Sequence, residues 1–215
     1  MAVMTRLEQT VVKSLSELAQ YHRCVGNRPR DYRSPLKSEE NTARAWTIAE
    51  IGYLKRRLER SGFAVKQEGD AKMRLPPDLV VFDRNGRLGL HFERETRGWE
   101  WNDVIGVLAK LLVVSDAPAP VAAVILAGME RSTSSDTKRR IDLVLRLATK
   151  LLAVGRRVKR LYLALWLGRH WINATLLVLT APQRIGGEVV VREILPTRRR
   201  LPLKTLNGVD IRSRR

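Results

Sequence analysis

The fold is decided by the stretch PDLVVFDRNGRLGLHFERE, residues 77–95. Residues 79–82 are continuously apolar, which is typical of a strand covered on both faces. Residues 89–95 alternate between apolar and polar side chains, which predicts a strand with two different faces. The segment between them, Asp83-Arg84-Asn85-Gly86, favours a tight turn because Asn and Gly tolerate positive φ. The whole stretch therefore predicts an antiparallel hairpin.

This hairpin brings carboxylates together. His91, Glu93 and Glu95 share one face of the second strand, and Asp78 stands at the start of the first strand. Carboxylates that converge repel one another unless a cation neutralises them, and hard oxygen ligands suit Mg²⁺ or Mn²⁺. The hairpin therefore predicts a divalent-metal site.

Zinc does not suit this chain. The possible nitrogen and sulfur ligands are one cysteine, Cys24, and three histidines, His22, His91 and His170. None of them falls in a recognisable zinc-ligand spacing. A single cysteine fits a reducing compartment, and neither a membrane-spanning apolar run nor a signal pattern is present. We expect a cytoplasmic protein that does not bind membranes.

The spacing of these acidic residues is similar to that of a known enzyme family. Pro77-Asp78 followed by Glu93-Arg94-Glu95 resembles the motif of the PD-(D/E)xK nuclease superfamily, with Glu95 where the family usually has Lys. Some restriction enzymes in that superfamily also carry Glu at this position. The region with its following helix also resembles the nuclease-like domain of plasmid replication-relaxation and mobilisation proteins. The resemblance covers residues 42–128 and implies a restriction-endonuclease-like core of helix, three strands, helix, strand.

The elements predicted around the motif follow that order. A helix over 40–60 has Thr47, Ile51, Leu54 and Leu58 at helical spacing, and Gly62 is placed to end it. The other predicted elements of the core are a strand over 63–67, the two strands of the hairpin, an amphipathic helix over 101–114 and an apolar strand over 121–126.

We expect an α/β chain with additions on both sides of this core. Residues 1–41 form an amphipathic helix, which packs on the core or on a second subunit, and a basic linker. Residues 129–215 hold a helix that ends near Gly155, strands over 161–167, 171–180 and 188–194, and a basic tail. These strands either extend the core sheet or form a small β appendage.

The resemblance assigns roles to particular residues. It implies that Asp78 and Glu93 are the principal metal ligands and that Glu95 is a further ligand or a base. The amine that the motif lacks would come from Lys110 as a displaced lysine, and the electrostatic stabiliser is Lys110 or Arg94; we favour Lys110, because Arg94 should point to the opposite face of the strand. Glu50 is either an additional metal-site carboxylate or a surface glutamate. The simpler interpretation of Glu93 and Glu95 is a solvated strand face with ion pairs.

The net charge of +18 indicates a polyphosphate partner, since docking of such a surface releases counterions. Nucleic acid is the expected partner, with Trp99 stacking on a base or packing its helix onto the sheet. The candidate nucleic-acid contacts are Arg56, Arg57, Arg97, Trp99, Arg139 and Arg140.

These observations predict an enzyme, a Mg²⁺-dependent DNA endonuclease that uses metal-activated water and accepts Mn²⁺ in place of Mg²⁺. Its context would be a mobile element, defence or DNA processing, either within a larger protein machine or as a homodimer. The alternative is a non-catalytic DNA-binding accessory protein with a nuclease-like fold, and the missing Lys in Glu93-Arg94-Glu95 favours it. A third interpretation is an RNA-associated or ribosome-associated basic protein, which leaves the carboxylates unexplained.

Overall fold

The described residues of the protein form a mixed α/β structure with one seven-stranded sheet. A computed structural model describes residues 4–23, 27–33, 43–67, 77–95, 106–114, 120, 122–129, 134–155, 158–167, 174–182 and 187–195. The α/β class predicted from the sequence is confirmed. None of the helices in these ranges is long and apolar enough to cross a membrane.

The described residues form four helices and seven strands. The helices are α1 (Arg6–His22), α2 (Ala43–Arg60), α3 (106–114, with a π-helical turn over Lys110–Val114) and α4 (Ser134–Gly155). The strands are β1 (Ala64–Gln67), β2 (Leu79–Phe82), β3 (Leu88–Glu95), β4 (Ala122–Met129), β5 (Arg160–Leu167), β6 (Thr175–Thr180) and β7 (Val190–Leu195). The predicted order of helix, three strands, helix, strand is present from α2 to β4.

The strands lie in the sheet in the order in which they occur along the chain. β3, β4 and β5 are parallel, and every other neighbouring pair is antiparallel. Parallel neighbours need a crossover, and α3 and α4 lie in the two crossover connections. Since β5 pairs directly with β4, the C-terminal strands extend the core sheet and are not a separate appendage.

Helices cover both faces of the sheet. We call the face that packs against α1 and α2 the N-terminal face, and it includes Leu90 and Phe92 of β3. We call the other face, which packs against α3 and α4, the crossover face. Covering both faces explains why β4 and β5 are apolar almost throughout.

The N-terminal helix packs on the core of its own chain. Its apolar residues at helical spacing, Leu7, Val11, Leu15 and Leu18, are all buried in the cluster that contains Leu90. Helix α1 lies so close to β3 that a Cβ atom at Gly89 would stand 2.5 Å from Cδ2 of Leu7. Burial on the sheet therefore decides between the two predicted packing modes of α1.

Candidate metal and nucleic-acid site

Strand β3 separates two kinds of chemistry onto two faces. Arg94 points to the N-terminal face, where it pairs with Glu50 of α2. Glu93 lies on the crossover face, where its register partner on β4 is Ile125, a member of the cluster formed with α3 and α4. The alternation of a strand places Glu95 on the same face as Glu93.

Asp78 stands beside Glu93. The last pair of the β2–β3 ladder joins Leu79 to Phe92, so Asp78 lies one position beyond it, next to Glu93 and on the same face. A side-chain oxygen of Asp78, Oδ2, accepts a hydrogen bond of 2.6 Å from the backbone N–H of Arg94. The hairpin predicted from the sequence thus brings these two carboxylates to one end of the sheet, where β2 begins and β3 finishes.

Lys110 meets the carboxylates from helix α3. Its ammonium forms an ion pair with Oε1 of Glu93, and the Glu93 side chain is only 8% exposed. Lys110 also begins the π-helical turn of α3, and π-helical turns often occur at functional sites. The structure therefore brings Lys110, which the sequence could relate to Asp78 and Glu93 only through the resemblance, next to these two carboxylates.

Glu95 lies at the last position of β3 and is half-buried. Its backbone carbonyl accepts a hydrogen bond from Nη1 of Arg94. The Glu95 carboxylate shares the crossover face with Glu93 but lies two residues further along β3, at the end of the strand.

Glu50 is neither at the surface nor next to the other carboxylates. It is fully buried on the N-terminal face, where Oε2 pairs with Nε of Arg94. Its other oxygen, Oε1, accepts a 2.8 Å hydrogen bond from the Trp166 indole and lies 3.6 Å from Nε2 of His22. The expectation of a surface glutamate is wrong, because the stripe that α2 turns to the sheet includes Trp46, Glu50 and Tyr53.

The charge state of Glu50 follows from these partners. Burial by itself raises the pKa of the Glu50 carboxyl, but Arg94 and His22 outweigh the effect of burial. The pKa of Glu50 is therefore lowered, and the group is a buried anion held by a buried cation.

The donor set suits Mg²⁺ rather than a metal that needs a full protein cage. No group of three or more His, Cys, Asp or Glu side chains within the described ranges is arranged to hold a metal ion. Mg²⁺ is usually bound through one or two carboxylates together with waters and substrate phosphates. The neighbouring pair Asp78 and Glu93 fits that requirement, and the buried Glu50 is not needed for it.

The chain matches no protein-family model, no curated protein and no solved structure.

Arg56 and Arg57, two candidate nucleic-acid contacts, have partners inside the protein. Nη2 of Arg56 donates a 2.8 Å hydrogen bond to the carbonyl of Asp31, and Nη2 of Arg57 lies 3.3 Å from Oε1 of Glu17. These contacts tie α2 to α1 and to residues 27–33. The two arginines thus help to hold the N-terminal elements on the core.

Of the remaining candidates, Arg139 is exposed near the start of α4. Arg97 and Trp99 lie outside the described residues, as does the side chain of Arg140. Their roles stay predictions.

Two cations that the sequence reasoning did not single out lie on the same helix as Arg139. Arg146 and Lys150 are exposed, and with Arg139 they follow the spacing i, i+7, i+11, which places them on one face of α4. Among the described residues, no carboxylate forms an ion pair with any of the three. We call Arg139, Arg146 and Lys150 the α4 stripe. Helical periodicity applied to the basic residues of 134–155 would have found it.

Proposed function

We propose that this protein is a Mg²⁺-dependent DNA endonuclease that hydrolyses phosphodiester bonds. The observation that carries the proposal is the juxtaposition of Asp78 and Glu93 on one face of the β2–β3 hairpin, with Lys110 beside Glu93. The element order from α2 to β4 and the net charge of +18 support the same function. The resemblance to PD-(D/E)xK nucleases supplies the reaction class.

Each residue has a role that its position supports. Asp78 and Glu93 would hold Mg²⁺ or Mn²⁺, and Glu95 would be a further ligand or the base. When bound, the metal ion supplies a water of lowered pKa and positive charge next to the phosphate. Lys110 lies close enough to share Glu93 with the metal and to offset negative charge on the substrate.

The α4 stripe is the surface that we propose for the DNA backbone. Helix α4 follows β4, and β4 is parallel to β3, so α4 starts at the end of the sheet where Asp78 and Glu93 lie. Arg139 is in the first turns of the helix, and Lys150 is about 16 Å further along it at 1.5 Å per residue. A row of exposed cations of this length can contact several phosphates without reading bases.

The test is cleavage of labelled duplex, single-stranded and branched DNA with Mg²⁺, Mn²⁺ or EDTA. The variants are Asp78→Asn and Glu93→Gln, and the matched control is Glu59→Gln, which makes the same chemical change at an exposed position of α2. We expect metal-dependent cutting by the wild type and by the control, and none by the two site variants. Equal cutting by the wild type and Asp78→Asn would refute the assigned site.

A second function has one observation in its favour. Lys110 already neutralises Glu93 within the chain, so the fold does not need a metal to tolerate this carboxylate. A DNA-binding accessory protein with a nuclease-like fold would show this arrangement without the reaction. Its signature would be equally tight DNA binding by the wild type, Asp78→Asn and Glu93→Gln, with no cutting under any metal condition.

A further inference from the structure

Arg94 connects three parts of the molecule at the end of the sheet where Asp78 and Glu93 lie. Its guanidinium pairs with Glu50 of α2 and donates to the carbonyl of Glu95. Its backbone N–H donates to Asp78. Arg94 is thus bonded through its side chain to α2 on the N-terminal face and through its backbone to Asp78.

Stability alone does not account for a pair buried in this way. The side chains of Glu50 and Arg94 are both 0% exposed. Removing two charges from water carries a large desolvation penalty, and well-packed apolar residues in their place are often as stable or more stable. What an ion pair adds is direction, because a guanidinium fork and a carboxylate bind only in particular orientations.

We propose that Glu50 and Arg94 are positioning residues, which hold the end of β3 so that Glu93 stays beside Asp78 for metal binding. This inference rests on the proposed metal site. It assigns Glu50 an indirect role, because its oxygens face Arg94, Trp166 and His22 on the N-terminal face. Glu50 acts on the metal ligands through Arg94.

The chain contains a matched control for this pair. Glu8 of α1 and Arg160 of β5 form a second buried Glu–Arg pair on the same N-terminal face, reinforced by the Tyr162 hydroxyl at 3.0 Å. Arg160 begins β5, and β5 is parallel to β3, so this pair lies at the opposite end of the sheet from Asp78 and Glu93. Breaking it removes the same chemistry without touching the candidate metal site.

The experiment is a titration of Mn²⁺ alone into the full chain. Binding is measured by calorimetry and by the loss of the electron paramagnetic resonance signal of free Mn²⁺. The variants are Glu50→Gln, Arg94→Met, the double variant of the two, and Glu8→Gln as control. The double variant leaves no isolated buried charge, so it keeps the test open if a single variant does not fold. Asp78→Asn identifies the binding event that belongs to the site.

For the wild type we expect one Mn²⁺ site that Asp78→Asn removes. Glu50→Gln, Arg94→Met and the double variant should each weaken Mn²⁺ binding by about tenfold or more, the usual effect of losing a residue that orients a metal ligand. Glu8→Gln should leave the affinity unchanged, even if it lowers the melting temperature.

The other outcomes separate the two hypotheses. Wild-type affinity in the double variant would overturn the positioning role and leave the metal site intact. Tighter binding in Arg94→Met with weaker binding in Glu50→Gln would also overturn it, because that pattern is expected if Glu50 itself binds the metal. A wild type that binds no Mn²⁺, or binds it equally after Asp78→Asn, would reject the metal site and the positioning role with it.

Discussion

At the scale of single residues, Lys110 places a positive charge beside the Glu93 carboxylate. A nearly buried carboxylate is costly unless a cation accompanies it, and the Lys110 ammonium supplies that charge from α3. A metal ion and Lys110 would stabilise Glu93 in the same way. The two are therefore expected to substitute for each other in part.

Lys110→Met tests this substitution. In EDTA we expect the variant to lose about 1–3 kcal/mol of unfolding free energy, because the Glu93 carboxylate loses the positive charge of Lys110 beside it. Adding Mn²⁺ should then raise the melting temperature of the variant more than that of the wild type. The control is Lys150→Met, which changes an exposed lysine with no acidic partner among the described residues. An equal Mn²⁺ effect on wild type and Lys110→Met would contradict the prediction.

The buried environment of Glu50 could not be predicted from the residues near it in the sequence. Its neighbours on α2 gave no sign of a buried cation, because the partner, Arg94, comes from a strand 44 residues later. The alternation of β3 did predict that Arg94 would leave the face of Glu93. It could not predict that the carboxylate of Glu50 would lie on the opposite face and pair with Arg94.

At the scale of elements, Gly62 ends α2 in a way the sequence predicted. Its φ is +84°, the N–H of Gly62 bonds to the carbonyl of Glu59, and the N–H of Phe63 bonds to the carbonyl of Leu58. These two bonds form a Schellman motif, with Leu58 and Phe63 in the buried core as its apolar contact. The motif turns the chain directly from α2 into β1.

Gly62→Ala should therefore destabilise the protein by about 1 kcal/mol, because a Cβ atom is disfavoured at positive φ. Denaturant unfolding at equilibrium measures the change. The comparison variant is Ser61→Ala, which leaves the backbone of the motif unstrained but removes the bond from its hydroxyl to the carbonyl of Arg57. A Gly62→Ala variant as stable as the wild type would show that the turn relaxes around the new side chain.

At the scale of the whole molecule, two buried Glu–Arg pairs link the N-terminal helices to the sheet. Burial raises the pKa of Glu8, but bonds from Arg160 and Thr5 outweigh it and leave the pKa lowered; Glu50 behaves in the same way with Arg94 and His22. A carboxyl whose pKa is lower in the folded state stabilises the fold above its unfolded pKa. That contribution is lost as the pH falls through the folded value.

The protein should accordingly lose stability in acid, beginning below about pH 4.5, the ordinary pKa of a glutamate. Glu8→Gln should lower the melting temperature at neutral pH, and its difference from the wild type should shrink as the pH falls. Melting curves between about pH 7 and pH 3 measure this difference. A difference that stays constant with pH would mean that the Glu8 carboxylate does not carry the effect.

The distribution of charge gives a second prediction for the whole molecule. If the α4 stripe binds DNA, the double variant Arg146→Ala/Lys150→Ala should weaken binding and reduce the slope of log affinity against log salt by about 2, close to one unit per phosphate contact. The matched control is Arg84→Ala/Arg87→Ala, which removes the same charge from the β2–β3 turn at the opposite end of the sheet. Equal changes in both double variants would indicate that only net charge matters.

Most of the local structure could be predicted from the sequence. The hairpin, the order of elements from α2 to β4, and the C-terminal strands all follow from periodicity and turn residues, which act over a few positions. The neighbourhood of Asp78 and Glu93 depends on more than the turn, because a register shift between Val81 and Phe82 moves the strand pairing by one residue and sets Asp78 beside Glu93.

The contacts between distant elements could not be predicted in this way, because they depend on how the elements pack. Lys110 beside Glu93, Glu50 with Arg94, and Glu8 with Arg160 each join residues from separate elements. The pairing of β5 with β4, which makes the C-terminal strands part of the core sheet, is also a contact between distant elements. The physical reason is the same in each case. Side-chain pairing across the core depends on which elements pack together, and the pattern within one element does not contain that information.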